Sequence, residues 1–415
     1  MLVKFKMYFH SVILRAKQNT LPSIVTGIFA GLGSTVFLYS LDWVNRLRDQ
    51  NSILIWGLPL AGLGIGIVFH KWGPLSTDGV NLIIDENHQP ERIIPARMGP
   101  LVLAGTLVTH LFGGSAGREG TAVQMGASLA DQIHRIFKLA LDIRLLFIAA
   151  GAGAGFGAAI GTPWAGVIFG MDMIQIGRLK LFAWYECLIA SFISYYTVLI
   201  LQAPHSQFSL VSIAPFKFQS LYWFVLAGFA FGIAARVFIL ISHFVEFISK
   251  KYISQPAFRP MIFGFILVGL YQLEGTYQYV SLGIPIINEA LTTQSTIKYP
   301  ILKVIFTTLT VGSGFKGGEF MPLVFIGTTL GSALGNWVPV SFSLLGAVGF
   351  AAVFAGAANI PITCTIMAVE LFGWPIAPYA LIACFASYYV SGHKGIYKTQ
   401  RIFSEKPTRW LTKIN

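Results

Sequence analysis

Apolar residues gather into long runs along the whole chain, at 22–41, 53–69, 101–112, 145–171, 187–201, 222–242, 319–338, 343–358 and 374–390. A helix needs about 20 predominantly apolar residues to span a bilayer, and several runs reach that length. Others are shorter and broken by Gly or Pro. Inside hydrocarbon every backbone polar group must be paired, so an interrupted helix is tolerated only where it ends within protein or beside a polar cavity. The pattern predicts an all-α integral membrane bundle in which tilted spans alternate with partial transmembrane helices.

Composition agrees with the pattern. Of 415 residues, 55% are hydrophobic and 11% charged, with a mean hydropathy of +0.68; soluble domains carry about 25% charged residues. The net charge of +12 is concentrated at the ends. Lys4, Lys6, Arg15 and Lys17 precede the first long run, and Lys394, Lys398, Arg401, Lys406, Arg409 and Lys413 follow the last. By the positive-inside tendency both termini face the cytoplasm. The charge is then topological, and no nucleic-acid partner is expected. Residues 1–19 mix basic and apolar positions without a cleavage site, which predicts a basic amphipathic helix at the interface rather than a signal peptide. A single membrane domain over 20–402 should follow, with a short cytoplasmic tail at 403–415 and no soluble regulatory domain. Cys187, Cys364 and Cys384 lie in apolar stretches without metal-ligand spacing and read as small buried hydrophobes. No metal or cofactor is expected.

Glycine is abundant, 43 residues, and clustered: GGSAGREG at 113–120, GAGAGFG at 151–157 and GSGFKGGEF at 312–320. Close helix packing explains many of these positions. The order adds something else, because Ser115 and Ser313, Pro163 and Pro361, and Asp172 and Glu370 are all 198 residues apart. GVNLIIDE (79–86) is echoed by GIPIINEA (283–290). A duplicated unit is the expectation, with halves of about 20–205 and 220–402; transporters built this way place their ion site where broken helices of the two halves meet.

A glycine-rich loop opening a membrane helix leaves backbone N–H groups unpaired at the positive end of the helix dipole, an anion site in the making. Two such starts occur, GREGTAV at 117–123 and GGEFMPL at 317–323. GGSAGREGTAVQMG resembles the G-(K/R)-E-G signature of the CLC anion channel and antiporter family. GSGFKGGEFMPLVFIGTTLG resembles its G-x-F-x-P signature through Gly318, Phe320 and Pro322. AAIGTPWAGVIFGMD, NIPITCTIMAVELFG and GIYKTQ match further family stretches in the right order, so the resemblance spans roughly 20–402. It implies an inverted-repeat CLC bundle, homodimeric, multi-pass in a prokaryotic inner membrane, that moves a halide against protons and is not an enzyme.

The resemblance also implies roles. Glu119 is the gate, its carboxylate a surrogate anion that swings away when protonated; an acid in an apolar segment marks an ion or proton path by default. Glu319 stands where most relatives carry an apolar residue and the fluoride-expelling branch carries Glu, which suggests a proton relay; the alternative is a capping acid at a helix start. Met173 occupies the position at which chloride/proton exchangers often keep an inner proton-transfer Glu. Anion-binding positions carried over from the motifs are Gly79, Val80, Asn81, Gly117, Arg118, Gly120, Gly318, Phe320, Met321 and Tyr397. Val80 replaces the Ser of chloride-preferring members and also departs from the Asn or Met of the fluoride branch. Fluoride is small and strongly hydrated, so short N–H and O–H hydrogen bonds must replace its water. Without the resemblance Tyr397 would read as an interfacial anchor.

Asp172 and Glu370 read as structural caps or ion pairs, and Glu186 has no assignable role. Gly113 to Gly117 also spells the hydrolase G-x-S-x-G, with His110 nearby, but an apolar helix rather than a strand precedes it. G-x-G-x-x-G at 312–317 lacks the alternating strands and helices of a dinucleotide fold. Proton-driven fluoride export is the leading expectation, with chloride/proton antiport and a passive anion channel as alternatives.

Overall fold

The computed structural model describes residues 2–91, 93–209, 211, 218 and 220–406, with side chains from residue 18 onward. Sixteen α-helices occur among them. The first eight are α1 (Leu2–Gln50), α2 (Leu58–Trp72), α3 (Val80–His88), α4 (Met98–Leu111), α5 (Glu119–Ile136), α6 (Leu141–Ile160), α7 (Pro163–Asp172) and α8 (Trp184–Ile200). The second eight are α9 (Ser220–Tyr252), α10 (Phe258–Glu274), α11 (Ile284–Thr292), α12 (Lys298–Gly312), α13 (Phe320–Leu334), α14 (Phe342–Ala358), α15 (Pro361–Phe372) and α16 (Ala377–Ser391). Strand structure among the described residues is confined to β1 (Gln175–Ile176), which pairs in parallel with β2 (Arg401–Ile402). That pair ties the segment after α7 to the segment after α16.

Among the described residues, four stretches are long and apolar enough to cross a membrane: 18–50, 52–72, 141–160 and 220–252. Shorter apolar helices such as α4, α13 and α15 cannot span it alone and need neighbours. Large apolar side chains point outward, Leu60, Ile200 and Trp374 being 72%, 77% and 81% exposed, as a lipid-facing surface requires.

The apolar run at 145–171 is two helices, not one. Gly161, left-handed at φ 91°, ends α6, and Pro163 opens α7 at a position where its missing N–H costs nothing. Asn359, also left-handed, ends α14 and Pro361 opens α15 in the same way. The acids that close α7 and α15 then exchange places. Asp172 Oδ2 accepts from Thr363 N and Oγ1 at 3.2 and 2.9 Å, while the Glu370 carboxylate accepts from Trp164 N and Ala165 N at 2.9 and 2.8 Å. Each helix caps the other's start, the structural role expected of both residues. Glu186 is buried and accepts from Asn19 Nδ2 at 2.6 Å.

The ends differ from expectation. The boundary anticipated at residue 19 falls inside α1, which runs without a break; the amphipathic face expected of 1–19 falls almost wholly on side chains outside the described residues, as do residues 407–415 of the expected tail. Lys406 is not in a solvated tail. It is buried, donating to Asn359 Oδ1 at 2.6 Å and to the carbonyls of Tyr388 and Gly392.

Candidate functional site

The two glycine-rich loops meet. Gly117 N donates to Gly318 O at 2.6 Å and Gly318 N donates to Gly117 O at 2.8 Å, an isolated antiparallel bridge between the starts of α5 and α13. Only glycine allows this approach, since a Cβ at Gly117 would stand 2.9 Å from Gly318 O and one at Gly318 2.8 Å from Gly120 N. The expectation that both glycines offer amides to an anion is therefore corrected: these two N–H groups are spent on each other. The amides of Glu119 and Gly120 at the start of α5, and of Phe320 and Met321 at the start of α13, precede the first intrahelical acceptor and point away from the helix body, whereas Thr121 N already donates to Arg118 O.

Glu119 opens α5 and is 1% exposed. Its carboxylate accepts from Arg118 N at 3.2 Å and Arg118 Nε at 3.3 Å, and lies 3.2 Å from the space above Gly117, a space 3.0 Å from Met321 N. The acid thus sits at the join, beside the start of the opposite helix. The Arg118 guanidinium, expected as an anion ligand, instead holds Glu119 and donates from Nη2 to Ala159 O at 3.0 Å. Phe320 is buried with its ring edge-on to Phe354 and Phe156, centroids 4.7 and 5.6 Å away.

A cavity of about 710 Å³ leads to this join. Gly79, Val80, Asn81, Gly120, Gly318, Glu319 and Tyr397 all line it, drawn from four separate segments of sequence. Gly117, Arg118, Glu119, Phe320 and Met321 do not line it; the lining reaches their chain neighbours Gly120, Gly318 and Glu319. Glu319 occupies the N-cap position of α13, makes no side-chain capping hydrogen bond to the helix and lines the cavity.

The start of α3 is fixed from behind. Arg144 of α6 donates to Asp131 Oδ1 of α5 at 2.5 Å and to Glu86 Oε2 of α3 at 2.8 Å, all three buried. Asn81 was expected to face the anion; its Oδ1 accepts from Lys398 N at 2.8 Å and its carbonyl from Thr399 Oγ1 at 3.0 Å. It holds the Tyr397 segment in place. On the far side of that segment Lys398 pairs with Glu246 of α9, and Gln400 Nε2 donates to Met173 O and Ala358 O, both at 2.9 Å. Glu246, Lys316 and Gln400 were not singled out from sequence. Glu246 follows an apolar run beside Lys250 and Lys251 and carries no motif, while Lys316, a cation within an apolar motif, carried a signal that was there to read.

Ser115 Oγ is 2.9 Å from Thr307 Oγ1, and His110 Nδ1 faces Ser281 Oγ at 2.5 Å. The hydrolase-like Ser and His therefore do not address each other. Helices flank 312–317 on both sides, with no dinucleotide fold around them.

Comparison with known proteins follows the geometry. A family model described as voltage gated chloride channel matches residues 61–392. The chain is 41% identical over 402 residues to a protein of Pseudomonas syringae pv. tomato named chloride/fluoride channel protein, covering 95% of this chain and 89% of that one. It is 26% identical to the H(+)/Cl(-) exchange transporter ClcA of Vibrio parahaemolyticus, over 84% of this chain and 80% of that one. Among solved structures, a CLC-type fluoride/proton antiporter superposes with a TM-score of 0.90 at 31% identity, covering 94% of this chain and 99% of the other. A slow cyanobacterial Cl-/H+ antiporter shares the fold with a TM-score of 0.81 at 20% identity, over 92% and 96% of the two chains.

Proposed function

Because the chain belongs to the voltage-gated chloride channel family, whose members are membrane transporters rather than enzymes, we propose that it is a proton-coupled halide antiporter that exports fluoride in exchange for protons. The observation that carries this reading is the meeting of the α5 and α13 starts with Glu119 lodged at the join and a cavity whose lining reaches Gly120, Gly318 and Glu319 beside it. A desolvated anion can be held by the free amides of Glu119, Gly120, Glu319, Phe320 and Met321, by those at Val80 and Asn81, and by the Tyr397 hydroxyl.

In the proposed cycle the Glu119 carboxylate and the halide compete for one seat. Protonation removes the charge that holds Glu119 there, the side chain swings out and the halide enters; return of the carboxylate expels the halide and releases the proton. Glu319, unpaired on the cavity wall, passes protons between that seat and the cavity water, in a chain where Met173 offers no inner acid. The two sets of eight helices are read as duplicated halves, about 20–205 and 220–402, in a homodimer of a prokaryotic inner membrane with both termini cytoplasmic.

Chloride/proton antiport is the second reading, supported by the relative named as an H(+)/Cl(-) exchange transporter, while Val80 matches the residue of neither branch. Purified protein in liposomes, with fluoride efflux and external pH recorded together and chloride as competitor, separates the readings. Fluoride efflux tied to opposite proton movement supports export; efflux without proton movement means a passive channel; preference for chloride replaces the substrate.

A further inference from the structure

We propose that Lys316 holds an anion at a second position within the cavity, one step before the seat that Glu119 contests; this rests on the transport reading above. Lys316 lies in the irregular segment between α12 and the bridge at Gly318. Its stem passes Gly105 of α4, where an added Cβ would stand 2.9 Å from Lys316 Cγ, and its ammonium lies 4.2 Å from the centroid of the Phe69 ring of α2. A missing side chain on one helix and an aromatic face on another make a slot for this one lysine, open to the cavity it lines.

The other fixed cations of the wall have partners. Lys250 and Lys398 both pair with Glu246, and Arg259 donates from Nε to Ile253 O at 2.9 Å and from Nη2 to Ser254 O at 3.4 Å. Lys316 makes no hydrogen bond or ion pair with any described residue; Asp78, the acid whose field reaches it, lines the same cavity without pairing to it. A ring face attracts an ammonium but does not neutralise it, and an uncompensated charge within a membrane domain is costly. In a protein whose cargo is a small anion, the missing counter-charge is the cargo. The lysine is three residues from Glu319 and two from Gly318, so an anion resting on it is already at the approach to the join.

The test uses Lys316→Cys in the full chain, whose native Cys187, Cys364 and Cys384 are all buried. Initial fluoride efflux from liposomes is measured against fluoride concentration before and after thiol tagging. The variant should raise KM for fluoride by about tenfold with a smaller change in maximal rate, the mark of lost ground-state binding. Tagging with 2-aminoethyl methanethiosulfonate, which restores an ammonium, should return KM towards the wild-type value, while methyl methanethiosulfonate should not. An unchanged KM in the variant, or equal recovery with the charged and neutral tags, overturns the proposal. Should the cysteine variant fail to assemble, Lys316→Met, which keeps the stem beside Gly105 and Phe69, decides by the same KM. Wild-type protein that moves no halide would instead refute the transport reading.

Discussion

At Glu119 a single carboxyl group is nearly sealed from water while its oxygens accept from the neighbouring Arg118. Such a group is useful only if its charge can be removed and restored. Glu119→Gln keeps the volume and fixes the neutral form, so proton movement should vanish while any remaining anion flux runs uncoupled; simultaneous fluoride and pH electrodes read both, and proton uptake at normal coupling in the variant would rule the gate out. Glu319→Gln acts one step away. It should slow coupled fluoride efflux by about tenfold or more, within the range of positioned acid–base groups, while thermal unfolding in detergent stays unchanged. Wild-type efflux from that variant would refute the relay.

Among elements, the segment carrying Tyr397 is a strap held from three directions: by Asn81 of α3, by Glu246 of α9, and by carbonyls at the ends of α7 and α14 through Gln400. Glu246→Lys should loosen it, lowering fluoride efflux, and adding Lys398→Glu should recover a substantial part of the loss by restoring the pair with reversed sign. No recovery in the double variant would mean that the contact does not position Tyr397, since coupled residues reveal themselves by non-additivity. Much of this level was legible beforehand. The glycine-rich starts at 117 and 317, Glu119, and the proline-opened α7 and α15 stood out because intramembrane acids and broken helices are costly and therefore sparse. The strap's anchors were not legible: Lys398 N and Thr399 Oγ1 are donors that almost any sequence supplies, and only the fold decides where they land. Within 145–171 Pro163 was legible from sequence, while the left-handed conformation of Gly161 that ends α6 was not.

For the molecule as a whole, the cavity exists because distant helices are locked in register. The ion cluster of Arg144, Asp131 and Glu86 joins α3, α5 and α6 where water is excluded. Arg144→Ala removes the buried cation that Glu86 and Asp131 share, leaving Asp131 its more exposed pair with Arg135, and breaking a buried pair in this way costs about 3–5 kcal/mol; a markedly lower unfolding temperature in detergent should result. An unchanged temperature would show that the cluster is not what holds α3. The reciprocal bonds between Gly117 and Gly318 place a narrower limit on motion. Parting them would break two backbone hydrogen bonds between buried glycines, each worth about 0.5–1.5 kcal/mol, so the bridge resists separation of the two helix starts. In the proposed cycle traffic past such a bridge works like a turnstile, in which the Glu119 side chain rotates while the two loops stay joined.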